Sequence, residues 1–460
     1  MRVLLVNPPA RNYYGQLGFN LLPLGLAYLG ASLKAAGHEV DALDLQVENR
    51  TMSEIPFHRY DLVGISADTP RFNRAVELGR AAKAAGATVV MGGYHPTFLD
   101  WEPFQRGAAD FVIRGEGEEA LVSLVDALDR GKGLETIRGL TYRVNGRIRR
   151  NPPAYLIQNL DALPFPDRSL FPRQGYLSTF DGRPVATLVT SRGCPYDCYF
   201  CAASRFAGLR WRTRSLDSVL AELELLQKQG YTSFLFVDDI FTLSYRRTMD
   251  FCQEILARHW DIRWWCFSRV DVLVKHPDMV RLMALAGART VFLGLESGNQ
   301  ATLDHYQKRI TIEQQRQAVR LLKRHGIRVY GSFILGELHE TKRMIRQTIR
   351  FARKLRPETC QFSLLTPYPG SRLFQQLERL RKLTTRNWDL YDGLHLVFRH
   401  PYLSARELQK LLREAYFRFY LSASQVPRAV GEFFKSPVQF RQWLERVRGG
   451  LDVFRNLKYA

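Results

Sequence analysis

The strongest constraint on the fold is a rhythm. Short apolar runs of strand length alternate with helix-length amphipathic segments, and the series occurs twice, separated by a proline-rich break. In the first series strands are predicted at 2–6, 38–44, 61–67, 88–91 and 110–114, with helices at 23–36, 71–85 and 118–128. Continuous apolar strands divided by helices indicate a parallel sheet covered on both faces. Residues 1–130 are therefore expected to form a doubly wound, Rossmann-like α/β domain. Ligands of such sheets sit at the carboxyl ends of the strands, which points to the loops 7–22, 66–70, 92–97 and 115–117.

The second series predicts strands at 185–190, 233–237, 263–267, 290–295, 329–335 and 361–365, with helices at 216–227, 246–257, 277–286, 312–325 and 341–355. Six such units suggest a partial (βα)6 TIM-like barrel over 183–370, with its reactive groups at the strand carboxyl ends. Between the two series, residues 131–182 read as a hairpin, turned at Asn145-Gly146, followed by a linker punctuated by Pro152, Pro153, Pro164, Pro166 and Pro172. Residues 371–460 read as a basic helical carboxy-terminal domain. There Ser404 and Glu407 form a capping box ahead of the apolar positions Leu408, Leu411, Leu412, Ala415 and Phe419.

Charge and composition narrow the partners. The chain of 460 residues carries a net +21 from 53 Arg and 13 Lys, yet its first 130 residues are acidic, with 12 basic against 16 acidic side chains. Such an arginine excess either reflects codon usage or suits an anionic partner, a small molecule or a lipid surface. With no helix-turn-helix, zinc-finger or aromatic-basic strand signature, nucleic acid is not expected. The longest weakly polar stretch, 20–33, is interrupted by Pro23, Gly25 and Gly30 and falls short of the roughly 20 residues that span a bilayer. The start MRVLLVNPPA lacks a signal-peptide pattern, so a cytoplasmic location is the expectation. Phe440, Trp443, Leu444, Val447, Leu451 and Phe454 recur near helical spacing beside Arg441, Arg446 and Arg448. They suggest either an interfacial helix making peripheral membrane contact or a helix packed on the barrel.

Six cysteines are too few for a disulfide scaffold, but Cys194, Cys198 and Cys201 lie on one loop directly after the first barrel strand. That spacing can aim three thiolates at one face of an iron-sulfur cluster and leave the fourth iron without a protein ligand. A structural zinc site would want a fourth Cys or His close by. Cys252, Cys266 and Cys360 read as buried small apolar residues.

The cysteine loop, with Phe200 before the third cysteine, resembles that of radical S-adenosylmethionine enzymes, and the resemblance covers about 183–366. It implies a 4Fe-4S cluster on Cys194, Cys198 and Cys201 whose open iron binds S-adenosylmethionine. It also implies an external electron donor such as flavodoxin or ferredoxin, and reductive cleavage to a 5'-deoxyadenosyl radical. By the same resemblance Asp238 after strand two meets the methionine amino group and Arg269 after strand three its carboxylate. Glu296 and Ser297 after strand four meet the ribose or the methionine moiety. Each of these polar residues also has a plain alternative as a salt bridge or structural contact.

The amino-terminal part resembles the cobalamin-binding domain that precedes the barrel in one large subfamily. The matching segments are Asn7-Pro8-Pro9, Leu22-Pro23-Leu24-Gly25, Gly92-Gly93-Tyr94-His95-Pro96-Thr97 and Arg114-Gly115-Glu116-Gly117-Glu118. Gly92 and Gly93 allow close backbone approach, and Ser66 and Thr69 offer hydroxyls. A nucleotide-binding or flavodoxin-like domain is the alternative on residue grounds alone. No Asp-x-His-x-x-Gly motif is present, so the resemblance implies cobalamin without a protein histidine on cobalt, with His95 lining the loop. The chain is thus similar to class B methyltransferases, which methylate unactivated carbons of small-molecule or lipid natural products. The rivals are a cobalamin-dependent cyclase or rearrangement enzyme, an iron-sulfur electron carrier and a cobalamin sensor. No catalytic acid or base is legible.

Overall fold

Strand β1 (Arg2–Asn7) carries Val and Leu without alternation because both of its faces are covered: Val3 and Leu5 enter one core, Leu4 and Val6 the other. It pairs in parallel with β2 (Glu39–Asp44) and β3 (Leu62–Ser66), and β4 (Thr88–Gly92) and β5 (Phe111–Ile113) continue the parallel sheet. Helices Leu24–Ala35 and Glu118–Arg130 cover one face and Phe72–Ala84 the other. The computed structural model describes residues 1–9, 20–131, 133–176 and 179–422.

Two sequence boundaries are corrected. The hairpin β6 (Leu140–Val144) and β7 (Arg147–Arg150), assigned to the linker, adds antiparallel to β5 and completes the order β2-β1-β3-β4-β5-β6-β7. Leaving β5 as an open edge would expose its backbone groups, and the hairpin covers it.

The second sheet contains β8 (Thr179–Phe180), β9 (Arg183–Leu188), β12 (Ser233–Phe236), β13 (Arg263–Ser268), β14 (Ala288–Glu296), β15 (Arg328–Leu335) and β16 (Thr359–Leu364). A separate clip, β10 (Ser191–Arg192) with β11 (Arg212–Thr213), flanks the cysteine loop. β9 and β12 to β16 run parallel in sequence order, the open-barrel wall that the second rhythm predicts, with β8 antiparallel on the outer edge. Trp264 and Cys266 face the covering helices, while Trp265, Phe267, Phe292 and Tyr330 line the opposite, inner face. Their rings contact one another there, Trp265–Tyr330 at 5.7 Å, Phe267–Phe292 at 4.8 Å and Phe292–Tyr330 at 4.9 Å between centroids.

The second correction concerns the carboxy-terminal region, which over residues 371–422 is not a domain of its own. The capping box on Ser404 and Glu407 does open a helix, Ala405–Tyr420. Tyr416 and Tyr420 use their hydroxyls to donate to the carbonyls of Phe362 (2.9 Å) and Cys360 (2.7 Å) and to accept from the same residues' amides at 3.1 Å. Two phenols thereby stand in for the missing neighbour of edge strand β16. The preceding segment crosses to the first domain, where Trp388, Tyr391 and Val397 are fully buried with Phe72, Phe104 and Val112. The proposed interfacial segment 437–454 lies outside the described residues. Among the described residues no helix is long and apolar enough to cross a membrane. Cys252, Cys266 and Cys360 are buried and unpaired, as their composition suggested.

Candidate cofactor site between the two sheets

The carboxyl ends of both sheets open onto one cleft of about 430 Å³. Asn7, Ser66, Gly92, Gly93, Glu116 and Gly117 line it from the first domain, and Ser191, Gly193, Phe206 and Asp239 from the barrel. Its floor is apolar, built from Leu5, Gly64, Val90 and Ile113. Two glycines keep it open. A Cβ on Gly93 would stand 2.8 Å from the Ala67 carbonyl oxygen, and its φ of +96° is one that side-chain-bearing residues avoid. A Cβ on Gly64 would approach Leu5 to 3.0 Å. A broad apolar floor rimmed by backbone without side chains fits a flat macrocycle, and Ser66 and Asn7 supply polar groups at the rim.

The residues that flank the cysteines reach this cleft: Ser191, Arg192 and Gly193 precede Cys194, and Ala203 follows Cys201. Cys198 is buried, while Cys194 and Cys201 are partly exposed. Burial first, then Cys201, Asp239 and Cys198, push the Cys194 thiol up to about 11 despite a hydrogen bond from the Tyr196 amide. Burial likewise raises Cys201. Three convergent soft ligands of this kind suit an iron-sulfur cluster, whose positive iron reverses that penalty.

The strand-end residues divide. Asp238 is buried and accepts from the Thr190 amide (2.7 Å), the Thr190 hydroxyl (2.5 Å) and the Ser191 hydroxyl (2.6 Å). It therefore anchors the start of the cysteine loop to β12. Its neighbour Asp239, not singled out from the sequence, lines the cleft and accepts from the amide of Gly193, next to Cys194, at 3.0 Å. Burial raises the carboxyl groups of both. Arg269 lies flat on the Tyr196 ring, 3.6 Å from its centre, and donates to Asp271 at 3.0 Å and to the Lys308 carbonyl at 2.8 Å. Glu296, held at φ +60°, accepts from Lys308 at 2.7 Å, and both Arg269 and Lys308 feel the charge of Cys198. Lys308 is a second residue the sequence reading missed, since it lies in no strand-end motif. Phe200 meets Tyr306 edge-on at 4.9 Å.

Four nominations are corrected by packing. Ser297 is fully buried and turned to Thr348 at 3.1 Å. Thr69 is buried and faces His95 at 3.4 Å instead of the cleft, and Pro8 is buried beside the cleft without lining it. His95 is fully buried, stacked on Phe72 at 3.9 Å and edge-on to Trp388 at 4.8 Å, with Glu102 at 3.5 Å. Burial, opposed by Glu102, lowers its pKa. The aromatic contacts that draw His95 inward come partly from Trp388, nearly 300 positions away, so no local signal marks them. Tyr94 takes the outward position next to it and packs on Phe206 at 4.5 Å.

Glu116 also has a role other than the one its motif suggested. Its buried carboxylate joins the two domains, accepting from Arg212 (2.8 and 2.9 Å), from Arg192 (3.2 Å) and from the Ile157 amide (2.9 Å). Arg192 reaches Glu118 at 2.6 Å and lies over Tyr28, whose hydroxyl burial pushes to about 12. Arg192 and Arg212, on the β10–β11 clip, are the partners that sequence motifs did not reveal.

Comparison with known proteins agrees with this geometry. Residues 12–125 match the B12 binding domain family and residues 188–352 the radical SAM superfamily. An uncharacterized methyltransferase of Pyrococcus horikoshii is 38% identical over 92% of this chain and 93% of its own. An anaerobic magnesium-protoporphyrin IX monomethyl ester cyclase of Rubrivivax gelatinosus is 30% identical over 92% of this chain and 78% of its own. The solved structure of the cobalamin-dependent S-adenosylmethionine radical enzyme OxsB shares the fold, with a TM-score of 0.75 at 20% identity over 97% of this chain and 71% of that one. With its two domain matches, relatives similar over most of their length and a cysteine loop flanking a glycine-rimmed cleft, the chain belongs to the B12-binding radical SAM enzymes, whose cofactors are a 4Fe-4S cluster, S-adenosylmethionine and cobalamin.

Proposed function

We propose that the protein methylates an unactivated carbon of a small-molecule or lipid substrate. The observation that carries this reading is the shared cleft: the strand ends of the cobalamin-type domain and the residues that flank the cysteine loop, Gly193 and Ala203, line one volume. When bound, the cluster and S-adenosylmethionine supply a hydrogen-abstracting radical, and cobalamin supplies the methyl group. The chain's own residues then bind and align. Cys194, Cys198 and Cys201 are the cluster ligands. Asp238 and Asp239 fix the approach to the cysteine loop through Thr190, Ser191 and Gly193, and Asp239 borders the cleft. Arg269, Lys308 and Glu296 form a charged group beside Cys198 suited to the amino and carboxylate ends of S-adenosylmethionine. Gly92, Gly93 and Ser66, which line the cleft, would hold cobalamin.

Trp265, Phe267, Phe292 and Tyr330 give the barrel's inner face an aromatic surface that suits an apolar or ring-containing substrate. The net +21 favours an anionic substrate and peripheral contact with an anionic membrane. An external donor such as flavodoxin or ferredoxin would deliver the electron.

A second reading, ring formation without methyl transfer, is favoured by the cyclase relative at 30% identity, against 38% for the methyltransferase relative. Product stoichiometry separates them. Anaerobic turnover of the reconstituted enzyme with isotopically labelled S-adenosylmethionine and extract-derived substrate is expected to release S-adenosylhomocysteine alongside 5'-deoxyadenosine. Turnover that releases deoxyadenosine alone overturns methyl transfer.

A further inference from the structure

Behind the cysteine loop lies a group of side chains that the cofactor chemistry does not use. His305 ends the helix Gln300–His305, and Glu337 and His339 lie in the loop that leaves β15. One ligand atom from each, the imidazole nitrogens and a carboxylate oxygen, lies within 4.8 Å of the others. Glu337 is completely buried, and its ion-pair contacts are these two histidines, with His305 Nδ1 at 2.5 Å from Oε1 and His339 Nδ1 against Oε2.

Oε2 takes the His339 amide at 2.8 Å, but Oε1 has no hydrogen-bond partner, although His305 Nδ1 almost touches it. A buried carboxylate oxygen without a donor is costly. Two imidazole nitrogens gathered on one buried carboxylate are a donor set that a cation would satisfy as well as protons do. The surroundings hold the ligands in place. His339 Nε2 lies 3.3 Å from the Thr302 hydroxyl, and His400 Nε2 contacts the Glu337 carbonyl at 2.8 Å, the kind of outer contact that orients metal-bound side chains.

We propose that His305, Glu337 and His339 form a second metal site, for a single divalent ion of the zinc type. Two neutral imidazoles and one carboxylate are a donor set of intermediate hardness that selects late first-row ions over magnesium or calcium. The half-exposed ring of His305 leaves the fourth position to water. The ion's place in the fold gives it a bracing role. Tyr199, between Cys198 and Phe200, has its ring 5.4 Å from that of His305, and its amide donates to the Tyr306 carbonyl at 3.0 Å. A metal tying the helix to the β15 loop thus stiffens the wall on which the cysteine loop rests.

The test uses untagged full-length chain with Cys194→Ala, Cys198→Ala and Cys201→Ala, which removes the competing thiolates, treated with chelator and titrated with zinc chloride by calorimetry. One equivalent of zinc is expected. His305→Ala and, separately, His339→Ala in the same background should weaken its binding at least tenfold, whereas His325→Ala, beyond the helix Ile312–Arg324, should leave it unchanged. His305 is half exposed, so His305→Gln, checked by circular dichroism, provides a variant in which loss of fold is not at issue. No zinc uptake by the parent means that protons alone occupy the cluster and overturns the site. Equal affinity in the parent and in the His305 and His339 variants overturns it as well. Neither readout depends on turnover, so the result stands apart from the methyl-transfer proposal.

Discussion

Glu116→Gln tests whether an ionic clasp holds the cobalamin domain against the barrel. The substitution keeps the shape of the side chain and removes its charge, leaving Arg212, whose side chain is 6% exposed, without a carboxylate. Breaking a buried pair by neutralising one member costs about 3–5 kcal/mol. Glu118→Gln removes only the 2.6 Å bond from Arg192, which keeps Glu116, so about 1.5–3 kcal/mol is expected. At about 2–4 °C per kcal/mol for a unit of roughly 150–250 residues, Glu116→Gln should lower Tm by about 6–20 °C and Glu118→Gln by less.

The pH dependence supplies a second check. Burial pushes the Glu116 carboxyl up, but the Arg212 hydrogen bond, Arg192 and the Ile157 amide outweigh it and hold the group below its ordinary 4.5. A carboxyl whose folded value is depressed contributes its full stability above the unfolded value and loses it as pH falls through the folded one. The gap between wild type and Glu116→Gln should therefore be constant from pH 6 to 8 and close below about pH 4.5. Differential scanning fluorimetry across pH, paired with spectral titration of hydroxocobalamin at the cleft, measures both effects. An unchanged Tm for Glu116→Gln, a Glu118→Gln effect of equal size, or a gap that widens in acid would refute the clasp.

Gly93→Ala should reduce cobalamin binding by at least tenfold, since its Cβ would press on the Ala67 carbonyl at 2.8 Å from a φ of +96°; spectral titration of this variant against Gly86→Ala, which meets nothing within 4 Å, separates cleft closure from general φ strain. His95→Ala should leave the cobalamin absorption spectrum in its histidine-off form yet destabilise the fold by about 1–3 kcal/mol through lost packing on Phe72 and Trp388, and a cobalt-nitrogen signal that disappears in the variant would contradict the buried placement.

How much of this was legible beforehand follows from the range over which each signal acts. Strand and helix positions, the two α/β units, the cysteine ligands and the Ser404 cap are written in local periodicity and short motifs, because burial on one or both faces dictates residue type over a few turns or strand lengths. What faces what is a matter of tertiary packing. Asp238 and Asp239 are adjacent and chemically identical, yet alternation along the strand end turns one toward Thr190 and the other toward the cleft. His95 and Tyr94 are neighbours too, and Trp388 decides which of them is buried. The pairing of Glu116 with Arg212, the closing of β16 by Tyr416 and Tyr420, and the meeting of His305 with Glu337 each join residues 32 or more positions apart. Such contacts exist only once the sheets and helices have packed, because hydrogen bonding and desolvation act through space and leave no period in the chain.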